Sequence, residues 1–90
     1  MLDTYWWGRV DRISPEAPVP VVAVSKKEQR IGGAGNVALN VQSLGATVHA
    51  ISIIGDDEEG MQLSALLKSN NINTDYLVSS KLRITTNKIR

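Results

Sequence analysis

The sequence predicts an α/β fold in which a small β layer leads into alternating helices and strands. Three observations carry this expectation. Two apolar, β-branched stretches before residue 25 have no helical pattern between them. From Ala34 onward, segments of helical period alternate with short apolar runs, the pattern of parallel strands joined by crossover helices. The two regimes meet at Gly32-Gly33-Ala34-Gly35-Asn36, where three glycines in five residues let backbone N–H groups approach a ligand closely at a helix start.

The first strand candidate is Trp6 to Ile13, which alternates bulky or apolar with polar residues after Gly8. The second, Val19 to Val24, follows Pro15, Pro18 and Pro20, which suit a strand at a sheet edge. Lys26 and Lys27 then read as a solvated loop. Ala34, Val37, Ala38, Val41 and Leu44 share one helical face, and Gly45 stands where a left-handed C-terminal cap is expected.

Thr47 to Ile54 is a mainly apolar run closed by Gly55, as expected for a strand covered on both faces of a parallel sheet. His49 lies inside it with no ligand set nearby and reads as a strand residue. Asp56 is expected to cap the next helix, with Glu59 at its third position, Met61, Leu63, Leu66 and Leu67 on its apolar face and Asn70-Asn71 at its end. Asp75 to Val78 and Ile84 to Ile89 are further strand candidates. The pattern stops at Arg90 without a turn or cap, which reads as an interrupted domain.

Composition narrows the function classes. The chain is 42% apolar and 21% charged with a formal net charge of +1, ordinary for a globular domain and without a basic cluster for nucleic acid. The absence of cysteine removes disulfide scaffolds, thiolate metal sites and thiol nucleophiles. No apolar run is long enough to span a membrane and no leader pattern opens the chain, so a cytoplasmic protein is the expectation. A chain this short buries only about 60 to 65% of the surface of its unfolded form, which favours a partner surface.

The glycine run invites two chemical readings. Gly33-Ala34-Gly35-Asn36-Val37-Ala38 has the spacing of a dinucleotide fingerprint, with Asp56 and Asp57 about twenty residues on. Against it, the upstream residues Lys26 to Arg30 are polar where an apolar strand is required. A Walker-type loop is excluded, because Asn36-Val37 stand where Lys and Ser or Thr are needed. The acids Asp56 to Glu59 open a helix, where its dipole favours them, and need no metal. Asp3 reads either as a frayed terminal acid or as the end of a strand, where its carboxylate can accept two sugar hydroxyls. Lys88 and Arg90, two apart on a strand, share a face and can hold a phosphate or line a solvated edge.

Gly32-Gly33-Ala34-Gly35-Asn36-Val37-Ala38-Leu39-Asn40-Val41, with Leu44-Gly45-Ala46 and Ile54-Gly55-Asp56-Asp57-Glu58-Glu59-Gly60, resembles the first signature of the ribokinase-like, pfkB-type carbohydrate kinases. Leu2-Asp3-Thr4-Tyr5-Trp6 and Arg12 to Val22 are similar to the branch of that family acting on D-glycero-β-D-manno-heptose 7-phosphate for ADP-heptose and lipopolysaccharide synthesis. The resemblance implies the N-terminal part of a three-layer, Rossmann-like kinase domain, with a β lid at about residues 5–31 and the α/β core starting at 32–90. It implies phosphorylation of the heptose at C1 with ATP and Mg²⁺, and a homodimer formed through the lid. By the same resemblance Asp3, Gly32, Gly33 and Asn36 bind the sugar, while Lys88 and Arg90 face its 7-phosphate. The family commonly has Ala where this chain has Gly35. Its second signature, an Asp-Thr-x-Gly-Ala-Gly-Asp-like stretch with the catalytic base and the ATP anion hole, does not occur in these residues. The chain by itself is therefore expected to hold no catalytic residue, bind neither ATP nor Mg²⁺, and be inactive. A non-catalytic sugar-phosphate-binding or dimerisation module is the alternative.

Overall fold

The computed structural model describes residues 1–90, in the order β1 (Leu2–Ile13), β2 (Pro20–Ile31), α1 (Ala34–Ser43), β3 (His49–Gly55), α2 (Glu58–Ser69), β4 (Asn73–Ser80) and β5 (Asn87–Ile89). They form a three-stranded sheet in the order β2-β1-β5 and a separate two-stranded sheet, β3-β4. β1 runs antiparallel to β2 and parallel to β5, and β3 runs parallel to β4.

The first two strands are longer than their apolar runs suggest. β1 begins at Leu2, four residues before the expected Trp6. Asp3 is thus neither frayed nor terminal: it pairs with Arg30 on one side and Lys88 on the other. β2 continues through Lys26 to Arg30, so the expected loop at Lys26-Lys27 is strand. Pairing with β1 satisfies the backbone of this polar stretch, and one sheet face leaves its charges in water.

Alternation sorts the residues near the base of the hairpin onto two faces. Leu2 and Thr4 point into the core, and Gln29 of the same face hydrogen bonds to Gln62 of α2 at 2.7 Å. The Thr4 hydroxyl donates to Asn87 Oδ1 at 2.7 Å, tying β5 in place. Asp3, Tyr5, Glu28 and Arg30 occupy the other face. Farther out, register shifts at Trp7/Gly8 and Val10/Arg12 mark bulges in a hairpin whose Val10, Ile13, Val22 and Val24 are exposed. With this projecting ribbon the Cα radius of gyration is 16.2 Å, against about 12 Å for a compact chain of this length.

The core joins the sheet to α2: Leu2 and Ile31 pack with Leu63, Leu67 and Ile72. α1 lies against the end of β2, where a Cβ on Gly35 would strike the Ile31 side chain. Gly45 follows the C-cap residue Leu44 with φ 98°, as its position predicts, and Asn71, just past the cap of α2, also has positive φ.

Several expectations change. The N-cap of α2 is Asp57, not Asp56, and its side chain accepts from Gly60 N–H, so Glu59 is the second helical residue and no capping box forms. The later strands shift to Asn73–Ser80 and Asn87–Ile89. β3 is not covered on both faces: Ile51 is 80% and Ile53 51% exposed. Only one strand pairs with it, so its other edge faces a cleft of about 590 Å³ lined by Met1, Ala34, Ala38 and all of His49 to Ile54. Six consecutive strand residues can line one cavity only along a strand edge, because their side chains alternate between faces.

Candidate functional site

The candidate site lies not in that apolar cleft but where β1, β2 and β5 meet the glycine run. Asp3 is held between two strands with its side chain only 13% exposed. Its Oδ1 is buried and has no hydrogen-bond partner, while Oδ2 lies 3.9 Å from Arg90 Nη2. A buried carboxylate oxygen without a donor is costly.

Gly32 closes over Asp3. Its N–H donates to the Met1 carbonyl at 2.9 Å, and a Cβ at this position would come within 2.6 to 2.8 Å of the Asp3 carboxyl atoms. Gly33 is glycine for a different reason. As N-cap of α1 it has φ 59° and ψ −134°, a conformation side-chain-bearing residues avoid. No side chain caps α1 and no acid sits in its first turn, so the N–H groups of Ala34 and Gly35 stay without a partner in the chain, while that of Asn36 donates to the Gly33 carbonyl at 3.0 Å. Asn36 is exposed on that turn.

Lys88 is in register beside Asp3, and Arg90, two residues on, shares its face. Arg90 donates to the Tyr5 hydroxyl at 3.2 Å. The structure thus brings Asp3, Gly32, Lys88 and Arg90 together around β1, with Gly33 and Asn36 on the adjoining helix start.

Residues that the sequence did not single out share the site. The Tyr5 ring stacks with Trp7 at 5.7 Å and has the guanidinium of Arg30 4.8 Å from its centroid. Farther along the hairpin and outside the site, Lys26 lies 4.9 Å from the centroid of Trp7. Glu28 accepts from Arg30 Nε at 2.6 Å. That bond holds the Glu28 carboxyl below its ordinary range and raises Arg30. The signal was available in the two-residue spacing of Asp3, Tyr5 and Trp7, but it is visible only once β1 is known to start at Leu2.

A second polar cluster is structural. Asp57 accepts from the Thr85 hydroxyl at 2.6 Å, from Thr85 N–H at 2.9 Å and from Gly60 N–H at 2.8 Å. The Thr85 oxygen in turn accepts from Gly55 N–H at 2.8 Å. The Thr85 hydroxyl, then its N–H, hold the Asp57 carboxyl below the usual carboxylate range. This knot joins the end of β3, the start of α2 and the approach to β5. No grouping of three or more His, Cys, Asp or Glu is placed to hold a metal ion, and no helix is long and apolar enough to cross a membrane.

Residues 2–89 match the family model described as pfkB family carbohydrate kinase. The chain is 53% identical over 90 residues to a D-beta-D-heptose 7-phosphate kinase of Bordetella bronchiseptica, covering all of this chain and 28% of that protein. It is 50% identical to the bifunctional protein HldE of Coxiella burnetii strain RSA 331, covering 93% of this chain and 19% of that protein. The fructokinase of Halothermothrix orenii superposes with a TM-score of 0.65 at 30% identity, over 97% of this chain and 29% of that one. A ribokinase from Cryptococcus neoformans solved with ADP gives 0.67 at 25% identity, over 98% and 26%. The chain thus spans less than a third of the length of these relatives, and its α/β architecture is a portion of the ribokinase and fructokinase fold. On the match across residues 2–89, the chain belongs to the pfkB family of carbohydrate kinases.

Proposed function

We propose that these residues form the acceptor-sugar side of a kinase acting on D-glycero-β-D-manno-heptose 7-phosphate at C1, as the N-terminal part of that enzyme. The carrying observation is the buried, unpartnered Oδ1 of Asp3 beneath Gly32. A sugar hydroxyl supplies the donor this oxygen lacks, and a carboxylate accepts two such bonds with defined spacing. Gly32, Gly33 and Asn36 line the same pocket from the helix start, and Lys88 and Arg90 face the 7-phosphate. The names of the relatives at 50% identity and above support the choice of heptose.

The whole domain takes its phosphoryl group from ATP with Mg²⁺, as the ADP-bound ribokinase relative suggests. Directly after the glycines stand Asn36 and Val37 rather than Lys and Ser or Thr, and no group of three His, Cys, Asp or Glu is placed to hold a metal ion, so the residues present do not fit either. Their part in the reaction is to bind and orient the sugar, and the chain alone is inactive. The hairpin over residues 5–31 serves as the lid, and its exposed Val10, Ile13, Val22 and Val24 support pairing of two copies.

Calorimetric titration of the chain with heptose 7-phosphate tests the reading. Asp3→Asn is expected to weaken binding about tenfold to a hundredfold, the worth of a hydrogen bond to a buried charge. Equal affinity of Asp3→Asn and the parent chain refutes the assignment.

A further inference from the structure

The sheet face that carries Asp3 holds more positive charge than sugar hydroxyls can use. Lys26, Arg30, Lys88 and Arg90 face only Asp3 and Glu28. Two of these cations converge on one ring. Arg30, from β2, lies 4.8 Å from the Tyr5 centroid, and Arg90, from the end of β5, lies 5.4 Å from it. β1 runs between β2 and β5, so the two guanidinium groups reach Tyr5 from opposite neighbouring strands.

Their existing bonds leave donors unused. Glu28 takes Arg30 Nε at 2.6 Å and thereby fixes the plane of its guanidinium, while the Nη groups make no hydrogen bond within the chain. Arg90 uses Nη1 on the Tyr5 hydroxyl and keeps Nη2 3.9 Å from Asp3. Two planar forks over an aromatic floor, beside a carboxylate suited to hydroxyls, match a phosphate monoester: its oxygens accept from both forks and its charge answers theirs.

We infer that Arg30, aimed by Glu28 across the Tyr5 ring from Arg90, is the second arm of a clamp for the phosphate of the bound sugar. This rests on the reading of Asp3 as the acceptor for that sugar's hydroxyls. Arg30 contacts the phosphate, Glu28 is a positioning residue for Arg30, and Lys26, over Trp7 and two pairs farther along the hairpin than Tyr5 and Glu28, takes no part.

The test titrates heptose 7-phosphate and the unphosphorylated heptose into the chain and its variants, with circular dichroism checking that each is folded. Arg30→Gln is expected to weaken the phosphorylated sugar about tenfold while the free heptose stays within about twofold. Arg30→Lys restores part of the loss, because charge returns without the fork. Glu28→Gln lowers the preference for the phosphorylated sugar about threefold without touching the free sugar, a change in ratio that a merely structural role does not produce. Lys26→Gln, which removes the same charge from the same face, leaves both affinities unchanged. If Arg30→Gln weakens both sugars equally, or Lys26→Gln costs as much, the clamp is refuted. Should Arg30→Gln fail to fold, an unchanged ratio in Glu28→Gln refutes it instead. A parent chain that binds free heptose as tightly as its phosphate overturns the clamp and leaves the Asp3 reading standing, whereas a chain that binds neither overturns both.

Discussion

Gly32 leaves no room above Asp3: a Cβ on the glycine would sit 2.6 Å from the carboxylate carbon. The backbone of Gly32 has no left-handed strain, in contrast to Gly33, so space alone demands glycine here. Gly32→Ala is therefore expected to push the Asp3 side chain aside and weaken sugar binding about tenfold or more, since small displacements of a binding group are costly. Secondary structure measured by circular dichroism should be unchanged, and an affinity equal to the parent would contradict the packing argument.

Gly33 responds differently. Its φ of 59° with ψ −134° is strained for any residue with a side chain, so Gly33→Ala should destabilise the chain by about 1 to 3 kcal/mol. Chemical denaturation reads this directly. A shift in midpoint without a shift for Gly32→Ala of comparable size would separate the two causes.

The Asp57 and Thr85 knot is expected to dominate local stability where β3, α2 and β5 converge. Thr85→Val keeps the shape but leaves the Gly55 N–H without its acceptor and removes one of the three donors to Asp57, a cost of about 1 to 3 kcal/mol. Asp57→Ala loses the helix cap as well, and hydrogen exchange at Gly60 should rise in that variant. Unchanged exchange at Gly55 in Thr85→Val would show that the knot does not hold β3.

Acid sensitivity follows from the same residues. The folded-state pKa of Asp57 is displaced downward, so its contribution to stability is fully present above the unfolded carboxylate value of about 3.9 and is lost as pH falls through the lower folded value. Denaturation midpoints taken between pH 6 and pH 2, a window of roughly this titration, should fall less steeply for Asp57→Asn than for the parent chain. Equal slopes would remove Asp57 as a contributor.

The free edge of β3 carries the exposed Ile51 and Ile53. An apolar, unpaired strand edge recruits other strands, so sedimentation velocity should show association that grows with concentration. Ile53→Lys should reduce it. Association unaffected by this substitution would direct attention to the hairpin.

Much of the architecture was legible in the residues. The 3.6-residue spacing from Ala34 to Leu44 and Gly45 after it specify α1, and the β-branched run from Val19 marks part of β2. The polar half of β2 was not legible, because Lys26 to Arg30 shows the composition of a loop and becomes a strand only through pairing with β1. The choice of Asp57 over Asp56 as cap was equally hidden: adjacent aspartates differ only in which one meets Thr85, 28 residues away.

The sequence by itself determined the family, the alternation of helix and strand, and the glycine run at the start of a helix, since motif spacing and local propensity are properties of neighbouring residues. Tertiary structure alone decided that Asp3 lies between Arg30 and Lys88 in a paired strand, that Gly32 roofs it, and that Arg30 and Arg90 meet at Tyr5. Those relations depend on strand register, and register is set by long-range pairing and by the burial of Leu2 and Ile31 against α2.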